Sequence, residues 1–227
     1  MAKPTTKATT VPPQRSVVQA QLKPDSEFHM LVGGPYSQDG EVHRYGHTAV
    51  RIRTPRTDVT YDFGRYGRVT GDFGAEGEGI LREWTDFEKY ITGENGIGRV
   101  TVGFVYKIFQ HQTKPATDFF TSLIATGVRD TSKERGRAWL RVYKLTRNYH
   151  ALGPNCTTIS LDSATKTWPR YEAGTGAYIK PEAVLNFGER TALKLKGVPA
   201  RIFLPANLQQ FLSEHPPVRV DLTSRYP

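Results

Sequence analysis

The only cysteine, Cys156, stands in the run GPNCTTISL, after a glycine-proline break and at the head of a segment with a helical pattern. A helix N-terminus gathers unpaired backbone N–H groups and the positive end of the peptide dipoles, and both favour thiolate over thiol. The same N–H groups can hold the oxyanion of a tetrahedral intermediate, so the expected chemistry is acyl transfer to sulfur. Taken alone, a lone cysteine is more often a small buried hydrophobe. The catalytic reading therefore needs a base and a group to orient it.

Six histidines are available: His29, His43, His47, His111, His150 and His215. His47 opens a strand-like run directly after Tyr45-Gly46, where the glycine lets the chain turn and leaves the imidazole at a sheet edge. His43 is its nearest competitor. His150 lies close to Cys156 in the chain but in a loop with no evident carboxylate, and His29, His111 and His215 read as structural or surface residues. A catalytic imidazole also needs a third group to fix its tautomer. Residues 47–53 (HTAVRIR) and 58–63 (DVTYDF) read as strands joined by a tight TPRTD connection, so antiparallel pairing brings Asp62 back beside His47. Taken by itself, Asp62 reads equally well as a turn carboxylate.

Those residues require a sheet and a facing helix, and the remaining patterns supply candidates. A strand is expected around residues 28–33, a helix over 81–90, a long strand over 99–110 and a helix over 117–126. Residues 133–145 read equally as helix or strand. Residues 157–164 continue the helix begun at Cys156, 201–204 (RIFL) read as a strand, 208–214 as a short helix, and the end as a Pro-rich tail. Residues 64–79 carry six glycines and read as a mobile surface loop, or else as a loop whose backbone approaches a ligand.

The chain has 227 residues, enough for one domain with a real core. Residues 1–26 are rich in Thr, Pro, Lys and Gln and read as a flexible N-terminal arm, leaving 27–227 as the folded domain. The net charge of +9 suits an anionic partner, but Lys and Arg form no basic block, so a nucleic-acid role is not expected. One cysteine and scattered histidines give no disulfide and no zinc spacing, so no metal or other cofactor is expected. No run approaches ~18 apolar residues, and the N-terminus lacks a secretory-signal pattern. The expectation is synthesis in the cytoplasm without a transmembrane segment, with any export by a route needing no cleaved signal.

Three blocks, YGHTAVRI (45–52), TYDFG (60–64) and NCTT (155–158), resemble the signatures of circularly permuted NlpC-type proteins, a bacterial branch of the papain-like cysteine hydrolases. In that branch the histidine block precedes the cysteine block. The resemblance spans roughly residues 28–165. It implies an α+β fold, with a central antiparallel sheet packed against helices and the nucleophile at a helix N-terminus. It further implies Cys156, His47 and Asp62 as triad, with Tyr45, Asn155 and Thr157 shaping the oxyanion or substrate pocket. Members cleave or transfer acyl groups, many at peptidoglycan stem peptides. With no signal sequence, the chain resembles type VI secretion effectors delivered into a rival's periplasm, which implies a peptidoglycan substrate, an immunity protein and a secretion-apparatus partner. The alternatives are a lipid acyltransferase or phospholipase-like enzyme, as in the lecithin:retinol acyltransferase relatives, a protein-targeting toxin, and a binding module without activity.

Overall fold

A computed structural model describes residues 23–38, 40–71 and 75–227. The expected N-terminal arm lies outside the described residues except for its last few, and Ser26 at its end already belongs to a strand. Strands β1 (Ser26–Gly33), β2 (Tyr36–Gln38), β3 (Glu41–His43), β4 (His47–Arg53), β5 (Asp58–Gly64), β6 (Val69–Thr70), β7 (Glu76–Gly77) and β8 (Ile80–Trp84) precede helix α1 (Phe87–Gly96). Next come β9 (Thr101–Ile108), α2 (Gln110–Ala125), β10 (Val128–Arg129), α3 (Thr131–Glu134), β11 (Leu140–Lys144) and β12 (Tyr149–His150). Helices α4 (Cys156–Thr167), α5 (Phe187–Lys196) and α6 (Pro205–Glu214) follow, and β13 (Leu222–Tyr226) closes the chain.

The architecture is α+β. Eight strands form one antiparallel sheet in the order β10-β11-β8-β5-β4-β1-β9-β13. Side chains alternate across a strand, so each strand feeds both faces. Phe28, Met30, Val32, Val50, Ile52, Tyr61 and Phe63 lie on one face, against apolar residues of α2, α4 and α6. Leu31, Ala49, Ile80 and Trp84 lie on the other, under Phe87, Tyr90 and Ile91 of α1. Two covered faces explain why β1 carries the consecutive apolar residues Met30, Leu31 and Val32 rather than a strict alternation.

The same double covering undoes the helix expected over residues 81–90. Leu81, Trp84, Phe87 and Tyr90 recur every three residues like a helix face, yet the segment is β8 followed by the start of α1, with Leu81 and Trp84 buried on opposite faces. The strand expected at 201–204 is also corrected. Ile202, Phe203 and Leu204 are buried but pair with no strand, and the Phe203 carbonyl accepts from the Asn155 side chain instead. Residues 133–145 resolve into the end of α3 and the strand β11. The glycine-rich stretch is partly built: β6 and β7 join β12 in a small antiparallel sheet. The Pro-rich tail ends in β13, which adds to the sheet edge beside β9.

Candidate active site

The β4–β5 hairpin sets the geometry of the candidate base. Its register places Ala49 directly opposite Asp62, so His47 reaches Asp62 on the diagonal of the same face rather than straight across. His47 Nε2 lies 2.5 Å from Asp62 Oδ1, joining two buried side chains. With Nε2 committed to the carboxylate, Nδ1 is the imidazole nitrogen left for a thiol. Gly46 sets the entry to β4: its φ of +71° suits glycine, and a Cβ there would strike the Gly33 carbonyl.

Asp62 is fully buried and carries more partners than a triad needs. Directly across from it on β8 stands Arg82, whose Nε donates to Oδ2 at 2.7 Å and whose Nη2 donates to the same oxygen. Tyr66, from the glycine-rich stretch, donates its hydroxyl to Oδ1 at 2.8 Å, and the Arg82 guanidinium lies 3.6 Å over the Tyr66 ring. A Cβ at Gly64 would collide with that ring, so the glycine is what lets Tyr66 fold back. Burial alone would raise the Asp62 pKa. The Arg82 charge, then the charge and hydrogen bond of His47, outweigh it and hold the carboxyl well below the usual carboxylate range.

Cys156 arrives from the other face of the sheet. Helix α4 packs there through Ile159, Leu161 and Ala164, and Thr157 Oγ1 lies 3.2 Å from Thr48 Oγ1 on β4, fixing the helix start against the strand that carries His47. Asn155 caps the helix: its Oδ1 accepts from the Thr158 N–H at 3.0 Å, and Thr158 Oγ1 accepts from the Asn155 N–H at 2.8 Å. The Cys156 and Thr157 N–H groups then have no partner in helix or cap, and they are the orphan donors available to an oxyanion.

The thiol and the imidazole tune one another. Burial pushes the Cys156 thiol up, but hydrogen bonding and charge from His47, then the Thr48 backbone N–H and the Thr157 hydroxyl, bring it below the ordinary thiol value. Burial would lower the His47 pKa, yet the Asp62 carboxylate, with Cys156 adding to it, pushes it up to about 10. Both shifts favour the thiolate and imidazolium form of the pair.

The remaining expected residues are placed as follows. Asn155 spends its amide N–H groups on the carbonyls of Ala151 at 2.6 Å and Phe203 at 3.0 Å, so its side chain anchors α4 and has no donor left for an oxyanion. Thr157 is wholly buried, its hydroxyl beside Thr48 and 4.0 Å from Cys156 Sγ, which leaves its backbone N–H as its link to a substrate. Tyr45 lines the groove at Cys156 and donates its hydroxyl to Glu189 of α5. His43 stacks on Tyr36 with ring centres 4.4 Å apart, and His150 Nδ1 accepts from the Leu152 N–H, so neither is held by a buried carboxylate.

Cys156 lies where two recesses meet. One, shared with His47, is charged and aromatic and includes Tyr66, Arg82, Glu94 and Arg99. The other is apolar, lined by Leu152, Leu185, Ala192, Leu193, Phe203 and Leu204. Tyr149 borders both and stacks on Phe63 with ring centres 5.9 Å apart. Sequence reasoning missed Arg82, Tyr66, Tyr149 and all of α5. Arg82 could have been found from strict pairing of β5 with β8, because an Asp and an Arg directly opposite on a buried face call for each other. Among the described residues no group of three or more His, Cys, Asp or Glu side chains could hold a metal ion, and no helix is long and apolar enough to cross a membrane. No protein-family model, curated protein or solved structure matches this chain.

Proposed function

We propose that the chain is a cysteine hydrolase in which Cys156 attacks the carbonyl of a carboxylic amide or ester, with His47 as proton carrier and Asp62 as its orienting partner. One observation carries this reading: β4, β5 and the first turn of α4 bring a capped-helix thiol, an imidazole and a buried carboxylate together, in the order acid–base–nucleophile that acyl transfer uses. The thiolate adds to the carbonyl carbon while the Cys156 and Thr157 N–H groups face the oxyanion. His47 gives its Nδ1 proton to the leaving nitrogen or oxygen as the C–N or C–O bond breaks. Water then adds to the thioester, His47 takes its proton, and the thiolate leaves as the free acid forms.

The placement of base and acid on the sheet and of nucleophile on the facing helix agrees with the permuted papain-like arrangement that the three sequence blocks suggest. On that footing the substrate is the amide bonds of peptidoglycan stem peptides. The chain would act as an antibacterial effector of type VI secretion in a target cell's periplasm, held in check in the producer by an immunity protein. The surplus of basic residues suits an anionic wall. The test is release of stem-peptide fragments from purified peptidoglycan by wild type and by Cys156→Ala. Release by wild type alone supports the reading, whereas equal release, or none by either, overturns that substrate. A second reading, an ester-cleaving or acyl-transferring enzyme acting on lipid, is favoured by the apolar recess beside Cys156.

A further inference from the structure

Two consecutive side chains of the glycine-rich stretch reach the Cys156 groove. Tyr66 folds back onto Asp62, whereas Arg65 runs along the small sheet. A Cβ at Gly77 of β7 would come within 2.9 Å of Arg65 Cγ, so this glycine leaves room for the arginine stem. Tyr149 of β12 pairs directly with Gly77, and the Arg65 guanidinium lies over its ring, 5.9 Å from the centre. The small sheet therefore supports both the hydrocarbon stem and the cationic head. Arg65 and Tyr149 each line both of the recesses that meet at Cys156.

Among the described residues nothing neutralises that charge. Arg82 is paired with Asp62 and Arg99 with Glu94, and Arg65 forms no ion pair. Two carboxylates line the groove. Glu94 is taken by Arg99, and Glu189 accepts from the Tyr45 hydroxyl and, at 2.7 Å, from the Asn186 N–H. Arg137 adds positive charge to the first recess only and Lys196 to the second only. Arg65 is thus the unpaired cation common to both, beside the sulfur. A guanidinium offers two parallel N–H donors, which match the two oxygens of a carboxylate.

We propose that Arg65 is a specificity residue that holds a carboxylate of the substrate near the carbonyl attacked by Cys156, so that acidic substrates are taken in preference to their neutral amides. The proposal rests on the cysteine-hydrolase reading and adds the charge that its substrate carries. It also gives the glycine-rich stretch a function. Gly64 lets Tyr66 reach the triad, and Gly77 makes room for the arginine that reads the substrate.

The experiment alkylates Cys156 of the full chain with iodoacetyl-glycine, iodoacetyl-β-alanine and iodoacetyl-γ-aminobutyrate, each against its own carboxamide, with N-acetylcysteinamide as the free-thiol reference. The spacers move the carboxylate away from the sulfur one methylene at a time, and within each pair the ratio of rates isolates the charge. For at least one spacer the carboxylate should react about fivefold faster than its carboxamide, relative to the reference, which is the upper range for a partly exposed ion pair. Arg65→Gln should bring the ratio to within about twofold of the reference, and Arg65→Lys should keep part of the preference. Lys194→Gln makes the same change in net charge on the exposed side of α5 and should keep the wild-type ratio. An equal loss in Lys194→Gln would show general attraction to a basic chain and overturn the assignment to Arg65. A wild-type ratio equal to the reference at every spacer overturns it without any variant, so a poorly folded mutant does not leave the question open. The neutral reagents report on the hydrolase reading separately. Fast alkylation by them at about pH 6, below the range of a free thiol, with no carboxylate preference removes the role of Arg65 and leaves that reading standing. Alkylation by them no faster than the reference removes both.

Discussion

The wall of the Cys156 groove built from β4, β5 and β8 partners each charge it uses, whereas the wall built from α5 buries one leucine and turns Phe187 and Leu195 to solvent. On the first wall Asp62 holds three partners, and His47 can neither rotate nor change tautomer without breaking a buried bond. On the second, the ties are Leu193 in a small cluster with Phe203 and Leu204, and the hydrogen bond from Tyr45 to Glu189. Local opening costs little where few apolar contacts and few buried bonds must be given up. The difference suggests a division of labour, with bond-making groups on a rigid sheet and the substrate wall on an element free to adjust.

The largest expected effect breaks the rigid wall at its centre. Asp62→Asn keeps the shape but removes the charge that sustains the imidazolium, and in triads that change costs on the order of 10²–10⁴ in kcat. Iodoacetamide alkylation of Cys156 reads the same loss without a substrate. In wild type the rate should stay high well below pH ~8.5, the range of a free thiol. Asp62→Asn or His47→Ala should push the profile upward. A wild-type profile like that of a free thiol would show that the pair does not ionise as argued.

Arg82→Gln tests whether the clamp on Asp62 is part of that rigidity. Breaking a fully buried ion pair costs ~3–5 kcal/mol, but Arg82 is 22% exposed and Asp62 keeps Tyr66 and His47, so roughly 2–3 kcal/mol is expected. The pH dependence has a definite sign. A carboxyl held below its ordinary pKa contributes stability that is present above the unfolded value and lost as pH falls through the folded one. Without Arg82 the folded pKa rises, so acid unfolding should begin at higher pH in the variant. Chemical denaturation across pH 3–7 measures both, and identical acid limbs would show that Arg82 does not govern Asp62.

The two walls also differ in how far the sequence disclosed them. His47 and Asp62 were legible because TPRTD fixes a hairpin and a hairpin fixes register, and Cys156 because Gly153-Pro154-Asn155 marks a helix start. Even there the expected side-by-side pairing proved diagonal, with Ala49 opposite Asp62. Arg82 was hidden because β8 is covered on both faces and its apolar spacing imitates a helix. Helix α5 was hidden for a different reason: Leu193 is its one buried residue and Phe187 and Leu195 face solvent, so few core positions mark it in the sequence. Asn155 was noticed, but as a candidate for substrate rather than as the cap, because its neighbour is the cysteine. Asn155→Ala should therefore cost about 1–2 kcal/mol of stability, as a lost cap does, and affect turnover only through the placement of Cys156.

The smallest effect sharpens the comparison most, because it separates the walls without disturbing the chemistry. Tyr45→Phe deletes the hydroxyl that ties the turn before His47 to Glu189 on α5 and leaves the ring in place. Burial, with help from the Glu189 hydrogen bond, pushes the Tyr45 pKa up to about 12, so below that pH the hydroxyl is a donor and the tie is intact. Tyr45 is 42% exposed, so water can replace most of what is lost, and the change in global stability should stay under about 1 kcal/mol. Hydrogen exchange resolves it further. Amides of residues 187–196 should already exchange faster than those of β4 and β5 in wild type, and Tyr45→Phe should speed them a further few-fold while leaving β4, β5 and the Cys156 alkylation profile unchanged. If the two walls instead exchange together, or if alkylation shifts with Tyr45, then α5 belongs to the same rigid unit as the triad and the proposed division of labour is wrong.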